Sequence, residues 1–219
     1  MQAAARHLSL EGEARSPFCC VIEDTGAVAG AAAAWHVLGS AVASAGSSAI
    51  HVLLFLDPQS HAERQVHLHI PEHSRATVSH QILRGRDCEG SLAQRVHECV
   101  QRCGRPAAAA KARPPFLLID SIDAAILHCG AHEVVDALRD ITAHQQVRGV
   151  VAHTHGPAQP SQALASLRGI STCTLVLKPA KALQCEVIQR ATGHKVHLEA
   201  IASTLRNSGA KPRPIAGPL

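Results

Sequence analysis

The chain has 219 residues, a formal net charge of +4 at neutral pH, and a hydrophobic fraction of 46%. This length suits one domain with a buried core, and the hydrophobic fraction excludes a chain that is disordered throughout. Only 2% of the residues are aromatic and tyrosine is absent, which disfavours RNA binding through rows of stacked aromatic rings. No apolar run approaches the roughly 20 residues of a membrane-spanning helix.

The first 16 residues mix acidic and basic side chains and lack the apolar stretch of a secretory signal. In a chain without such a signal, eight cysteines indicate reduced thiols, and we expect a cytoplasmic or nuclear protein. We predict a flexible N-terminus over 1–16, a single domain over 17–203, and a flexible tail over 204–219.

Strand-like and helix-like apolar patterns alternate along the chain. The predicted elements of the first half are a strand at 19–22, a helix at 27–45, strands at 50–56, 66–70 and 78–83, and a helix at 91–104. Those of the second half are a strand at 116–121, a helix at 131–144, a strand at 149–153, a helix around 163–167, a strand at 172–177, and a hairpin of 183–190 with 195–201. This alternation predicts an α/β fold, a mostly parallel sheet with helices on both faces and a C-terminal β-hairpin. It is the outline of a RecA-like domain, which other doubly wound folds share.

The turn after the first predicted strand has the context of a phosphate-binding loop, which joins a strand to a helix. Such a loop has the pattern G-x-x-x-x-G-K-[ST]: backbone amides hold the phosphates, the lysine reaches the β- and γ-phosphates, and the hydroxyl binds Mg²⁺. Counted from Gly26, the last three positions are Ala31, Ala32 and Ala33, preceded by Gly30. Spacing alone favours a turn that never bound nucleotide over a degenerate phosphate loop. Both interpretations predict no bound cofactor and no ATP hydrolysis by the usual mechanism.

The predicted strand over 116–121 carries Asp120 near its carboxyl end. In P-loop NTPases an aspartate in this place, called Walker B, holds Mg²⁺. Aspartate is also common at strand ends as a helix cap. Next to a loop without lysine, we interpret Asp120 as inherited architecture and predict no catalytic role. Ser121 lacks the flanking glycines of a nucleophile turn, and we find no enzyme motif.

Sixteen histidines raise the question of a metal site. His67 and His69 lie on a predicted strand, where alternate residues share a face, and Cys99 and Cys103 are one helical turn apart. No further ligand completes either pair at a spacing typical of zinc sites. Surface histidines and buried thiols explain the composition better, and we predict no metal.

The segment 104–115 is a proline-containing loop with cationic residues in it and just before it. These residues are Arg102, Arg105, Lys111 and Arg113. A cationic loop of this kind can contact RNA phosphates, although charge-rich loops are more often simply solvated.

Three segments of the second half follow one another in an order and spacing typical of a known family. They are PPFLLIDSIDAAIL at 114–127, HEVVDALRDI at 132–141, and GVVAHTHGPAQPSQALASLRGISTCTLVL at 149–177. In the family of the fifth Elongator subunit, an I-D-S-L strand precedes an apolar helix. Later come a strand ending in a histidine-containing loop, a small helix and a T-x-L strand that leads into a hairpin. Over 114–201 the chain resembles this family.

The resemblance implies a RecA-like subunit without standard phosphate-loop residues. In that family, Elongator subunits four, five and six form a hexameric ring with two copies of each. The ring binds tRNA and helps the catalytic Elongator subcomplex to modify the wobble uridine (U34). We therefore expect a non-catalytic chain whose partners are subunits four and six, the catalytic subcomplex and tRNA, with no membrane association. The alternatives are a protein like subunit six, which shares the fold, and a P-loop-like ATPase with an unusual phosphate site.

Overall fold

The computed structural model of the chain describes ten stretches of residues. They are 17–25, 30–45, 49–56, 58–75, 77–83, 92–103, 114–145, 147–178, 184–189 and 195–198. The predicted flexible N-terminus (1–16) and tail (204–219) lie outside them. No helix in the described stretches is long and apolar enough to cross a membrane.

Eight strands and seven α-helices lie in these stretches. The strands are β1 (Phe18–Asp24), β2 (Ile50–Leu54), β3 (Val78–Ile82), β4 (Phe116–Ile119), β5 (Gly149–His155), β6 (Cys173–Lys178), β7 (Gln184–Gln189) and β8 (Lys195–Leu198). The helices are α1 (Gly30–Ala45), α2 (Gln59–His69), α3 (Glu72–Arg75), α4 (Leu92–Cys103), α5 (Ile122–Cys129), α6 (Ala131–Ala143) and α7 (Ser161–Ile170). A short 3-10 helix, Gly156–Ala158, follows β5.

The strands form one sheet in the order β3-β2-β4-β5-β1-β6-β7-β8. The first six strands of this order run parallel, and β7 and β8 add an antiparallel hairpin beyond β6. The predicted parallel sheet and C-terminal hairpin are therefore confirmed. Since β5 lies between β1 and β4, the carboxyl ends of these three strands meet at one edge of the sheet.

Both faces of the central part of the sheet are covered, which explains why β2 and β4 are almost purely apolar and do not alternate with polar residues. On one face, Ile22 and Leu118 pack with α1, whose Trp35 and Leu38 are buried. On the other face, the neighbouring strand residues pack against α6 and α7. The core of this second face includes Val21, Leu117, Val150, Leu138 and Leu167. Burial at this depth stabilises by about 1.5–3 kcal/mol per large side chain.

The predicted strand at 66–70 is wrong, because this segment lies in α2 and the residue that follows it. Val66, Leu68 and Ile70 alternate with histidines, as in a strand. The buried residues are instead Ala62, Val66 and Ile70, spaced by four, while Leu68 is 54% exposed. A spacing of four is the helical period, and it sets the face that α2 turns toward the core. The shorter α3 was not predicted, because four residues carry too little periodicity.

The helix assignment also changes the geometry of His67 and His69. Two residues apart on a helix, their side chains point about 200° apart around the axis and do not share a face. His69 instead faces α1, where its ring lies edge-on to that of His36 at 5.8 Å between ring centroids. The two helices are close here, since a Cβ atom on Gly39 would lie 2.2 Å from the His69 carbonyl oxygen.

Candidate functional site

The candidate site is the edge of the sheet where β1, β5 and β4 end side by side. β1 ends at Asp24, Asp120 directly follows β4, and β5 ends with His153, Thr154 and His155. In open parallel sheets, ligands bind beyond the carboxyl ends of the strands. Gly30, which belongs to the phosphate-loop position of the sequence, lies at this edge beside Asp24 and His153. Of that position the structure describes Gly30 onward, and Gly26 lies outside the described residues.

The first turn of α1 offers no charged or hydroxyl side chain to a ligand. The helix begins at Gly30 and continues through Ala31, Ala32 and Ala33, of which Ala33 is 2% exposed. The motif counted from Gly26 places its second glycine at Ala31, one residue inside the helix. Counted from the helix start at Gly30, alanines still stand at the lysine and hydroxyl positions. This turn supplies backbone amides only, with no group to neutralise phosphate charge or bind Mg²⁺.

The imidazole of His153 lies directly against the start of α1. A Cβ atom built on Gly30 would be 2.3 Å from His153 Nε2, 2.6 Å from its Cδ2 and 3.0 Å from Asp24 Cβ. His153 Nδ1 lies 3.3 Å from the Asp120 carbonyl oxygen. Its Nε2 is buried and has no hydrogen-bond partner among the described residues. Glycine is needed at position 30 because the ring leaves no room for a side chain.

Asp120 is 6% exposed, and both of its carboxylate oxygens accept backbone hydrogen bonds. The Phe55 amide donates to Oδ1 at 2.8 Å and the Leu56 amide donates to Oδ2 at 2.9 Å. These amides belong to the segment that leaves β2, so the carboxylate fixes the direction of the chain there. In this structure Asp120 joins two neighbouring strand ends.

Replacing Asp120 by asparagine should lower the free energy of unfolding by about 1–2 kcal/mol. The amide group of asparagine keeps one acceptor oxygen but turns an NH₂ toward the second backbone amide, which is then left unpaired. Urea unfolding followed by circular dichroism measures the change. An unchanged midpoint would mean that these two hydrogen bonds contribute nothing to stability.

Asp123 binds the end of β5 and Gln159 beyond it, and the sequence did not reveal this role. Its carboxylate accepts hydrogen bonds from Thr154 Oγ1 at 2.8 Å, from the His155 amide at 2.8 Å and from Gln159 Nε2 at 2.5 Å. Ser121 caps the same helix, accepting from the Ala124 amide at 3.2 Å. The signal available in the sequence was the serine after a strand and the acidic residue in the first helical turn. It predicts a helix start at Ser121, but it does not predict the bonds to β5.

An ion pair between a buried glutamate and a half-buried arginine lies beside the candidate site and was not predicted from the sequence. The first strand was predicted to end at Ile22, but β1 continues to Asp24 and buries Glu23. Arg168 of α7 donates to Glu23 through Nε at 3.0 Å and through Nη2 at 2.5 and 2.7 Å. Gly156 makes room for the carboxylate, since a Cβ atom there would be 2.7 Å from Glu23 Oε1. Two acidic residues after an apolar run resemble a turn in the sequence, and the partner of Glu23 lies 145 residues away.

The predicted RNA-contact residues are not assembled into a site by the described structure. Arg102 lies on α4, where the structure describes its backbone but not its side chain. Arg105, Lys111 and Arg113 lie outside the described residues. RNA contact by this basic loop remains a prediction.

Within the described stretches, no group of three or more His, Cys, Asp or Glu side chains is arranged to hold a metal ion. Cys99 and Cys103 lie on α4, but their side chains are outside the description. The thiols of Cys19 and Cys173 are buried and free, in agreement with the predicted buried thiols.

The prediction of surface histidines is wrong for at least one described histidine. His51 is 2% exposed on β2, where its Nδ1 contacts Ser79 Oγ. Burial lowers the pKa of His51, of His69 and of His80 below the usual value. Burial, reinforced by the neighbouring His69, lowers the pKa of His36 to about 4. These imidazoles are therefore neutral at pH 7.

The lowered pKa values predict that the protein loses stability as the pH falls from about 6.5 toward 4. In this window the unfolded chain binds protons that the folded chain does not, so acidification favours unfolding. Thermal unfolding at pH 7 and at pH 4.5 measures the loss. A His36→Gln variant should lose less stability over this range than the wild type, while His128→Gln, at an exposed position, should behave like the wild type. Equal pH dependence of all three proteins would contradict the prediction.

A cleft of about 700 Å³ lies at the opposite edge of the sheet, between α6 and α7. Its lining includes Pro17, Arg139 and Cys19. Burial, together with the nearby Cys173, raises the pKa of the Cys19 thiol to about 12. The thiol is therefore protonated at neutral pH and is not a nucleophile.

No protein-family model matches the sequence, and no curated protein matches it. Solved structures do match the fold. One of them, an ATPase domain, is 8% identical with a TM-score of 0.58, and the match covers 83% of this chain and 80% of that one. The flagellar accessory protein FlaH from Methanocaldococcus jannaschii is 9% identical with a TM-score of 0.53, covering 83% of each chain.

A KaiC-like protein from Pyrococcus horikoshii OT3 is 12% identical with a TM-score of 0.52, covering 83% of this chain and 82% of that chain. Similarity at such low identity is evidence for the fold alone. Together with the strand order, it confirms the predicted fold class: the chain has a RecA-like α/β fold.

Proposed function

We propose that this chain is a non-catalytic RecA-like subunit of the Elongator accessory subcomplex. In this role it packs with subunits four and six in a ring of two copies each and supports modification of the wobble uridine of tRNA. It contributes surfaces that pack against the neighbouring subunits of the ring, while the catalytic Elongator subcomplex carries out the chemistry. The proposal places the protein in the cytoplasm or the nucleus.

The observation that carries the proposal is a RecA-like fold in which alanines stand at the lysine and hydroxyl positions of the phosphate loop. Two further points support it. The segments that resemble the fifth Elongator subunit, at 114–127, 132–141 and 149–177, contain β4, β5 and β6, which flank β1 in the sheet. Asp120, which would hold Mg²⁺ in an active relative, is engaged by the Phe55 and Leu56 amides.

The basic segment of Arg102, Arg105, Lys111 and Arg113 is where we propose tRNA contact. Its charges suit the phosphate backbone, which provides affinity without sequence readout. The scarcity of aromatic residues supports backbone contact over base stacking.

Co-expression with the fourth and sixth Elongator subunits of the source organism, followed by native mass spectrometry, tests the proposal. We expect a species that contains two copies of each of the three chains. The matched control is co-expression of subunits four and six without this chain, which should not give that species. If the chain stays alone or self-associates while the other two pair without it, the Elongator assignment is wrong.

The non-catalytic part of the proposal has its own test. The isolated chain, incubated with Mg²⁺ and ATP, should release phosphate no faster than buffer. Turnover that is abolished in the Asp120→Asn variant would instead establish an ATPase with an unusual phosphate site. That result would leave the mass-spectrometric test of assembly unaffected.

A further inference from the structure

We propose that the side chain of His153 closes the phosphate-binding position of this fold by covering the first turn of α1. The inference rests on the proposed function in one respect, namely that the first turn of α1, residues 30–33, is the counterpart of the end of a phosphate loop. It does not depend on assembly with other chains. It adds a steric cause of nucleotide exclusion to the missing lysine and hydroxyl groups.

The ring of His153 fills the space beside Gly30. A phosphate oxygen held by a helix N-terminus approaches the amides of the first turn to about 2.7–3.2 Å. At Gly30, the edge of the His153 ring lies so close that even one added carbon would be 2.3 Å from Nε2. The ring therefore occupies the volume immediately beside the start of the helix. A phosphate group approaching Gly30 from this side meets the imidazole first.

The backbone that carries the His153 ring is held in place by the sheet and by hydrogen bonds. His153 lies on β5, between β1 and β4, and is paired in register with Ile22 of β1. Its Nδ1 faces the Asp120 carbonyl oxygen at 3.3 Å. The residues that follow it are held by Asp123, which accepts from Thr154 Oγ1 and from the His155 amide. The backbone that carries the ring is thus fixed by the sheet and by α5.

A carboxylate also lies beside Gly30. Asp24, the last residue of β1, lies on the same side of Gly30 as the His153 ring. Its Cβ atom is 3.0 Å from the position that a Cβ atom on Gly30 would take, and the residue is 6% exposed. A carboxylate here opposes an incoming phosphate, because like charges in a partly buried place repel strongly. The described first turn of α1 itself carries no cationic side chain that would attract a phosphate. Removal of the ring should therefore open the position to an anion but leave the affinity modest.

The test compares inorganic pyrophosphate binding to the wild type, His153→Ala and His155→Ala. His155 is the matched control, because it is a histidine on the same strand and is not among the nearest contacts of Gly30. Titration is followed by the amide NMR signals of Gly30 to Ala33 in the ¹⁵N-labelled full chain. We expect His153→Ala to bind at least about tenfold more tightly than the other two proteins, with shifts confined to this turn, a difference of about 1.4 kcal/mol.

Equal affinity of wild type and His153→Ala, including no binding by either, overturns the proposal. A gain of the same size in His155→Ala also overturns it. Circular dichroism checks that the variants fold. If His153→Ala does not fold, His153→Asn keeps a donor for the Asp120 carbonyl oxygen and removes most of the ring, and the same outcomes apply to it. A second measurement uses the wild type, whose His153 ring signals should not move with pyrophosphate; movement contradicts closure. Native mass spectrometry of the ring is independent of all these results, so failure here is distinct from failure of the Elongator assignment.

Discussion

Replacing Arg168 by alanine is expected to lower the free energy of unfolding by about 3 kcal/mol. The arginine makes three hydrogen bonds to Glu23, whose side chain is only 5% exposed. Without its partner, the carboxylate is buried and uncompensated, a change that typically costs about 3–5 kcal/mol. The lower end applies because the Arg168 side chain is 45% exposed and water can enter when it is removed. Urea unfolding at pH 7 measures the loss.

The chain offers a matched control on a neighbouring helix. Arg139 pairs with Asp136 at 2.7 Å, but the two side chains are 57% and 37% exposed. Replacing Arg139 by alanine should change stability by no more than about 0.5 kcal/mol, since exposed pairs contribute little. An Arg168→Lys variant should lie between alanine and the wild type, because lysine keeps the charge but cannot form the same fork of hydrogen bonds. Equal losses for Arg168→Ala and Arg139→Ala would show that burial of Glu23 does not set the cost.

The second large effect concerns Gly30. Replacing it by alanine should lower the free energy of unfolding by about 2 kcal/mol, although alanine is the better helix former. The added carbon collides with the His153 ring, and overpacking of this kind costs about 1–3 kcal/mol. In a His153→Ala background, the same change at Gly30 should become neutral or stabilise by about 0.5 kcal/mol, because the helix propensity of alanine is then no longer offset by the ring.

A double-mutant cycle of Gly30→Ala and His153→Ala therefore has an expected coupling of about 2 kcal/mol. Gly169 on α7 provides the control, since a Cβ atom there would have no neighbour within 4 Å. Gly169→Ala should stabilise the protein by about 0.5 kcal/mol in either background. If Gly30→Ala costs the same with and without the ring, the cost comes from Asp24 or from the backbone, and the contact with His153 is unimportant. The cycle reports on stability, so it tests the contact independently of pyrophosphate binding.

The elements of the fold were largely predictable because each depends on a local pattern. The strands at 50–56 and 149–153 were visible as apolar runs, and α6 was visible from its helical spacing of buried residues, such as Val134 and Leu138. The segment 66–70 was predicted as a strand because Val66, Leu68 and Ile70 recur at every second residue. Val66 and Ile70 alone also fit the spacing of four that is typical of a helix. The choice between them was made by α1, which packs on the side of α2 that carries Ala62 and Val66.

The candidate site was predictable in what it lacks more than in what it contains. The residues at 31–33 are alanines, and their identity is enough to show that this turn carries neither a lysine nor a hydroxyl group. The hydrogen bonds of Asp120 and the ion pair of Glu23 could not be predicted in the same way. Their partners, Phe55 and Arg168, are 65 and 145 residues away in the chain. A carboxylate at a strand end has the same local sequence whether it binds Mg²⁺, caps a helix or accepts backbone amides.

The sequence by itself determined the α/β class, the parallel sheet with its terminal hairpin, and a phosphate-loop position without charged chemistry. These depend on apolar period and residue identity, which are properties of short segments. Only the tertiary structure decided that His153 lies on Gly30, that Glu23 is buried against Arg168, and that His36 meets His69. The physical reason is that such contacts depend on the order of strands in the sheet and on the crossing of helices. In this chain, placing β5 between β1 and β4 brings His153 next to a turn more than a hundred residues earlier in the sequence.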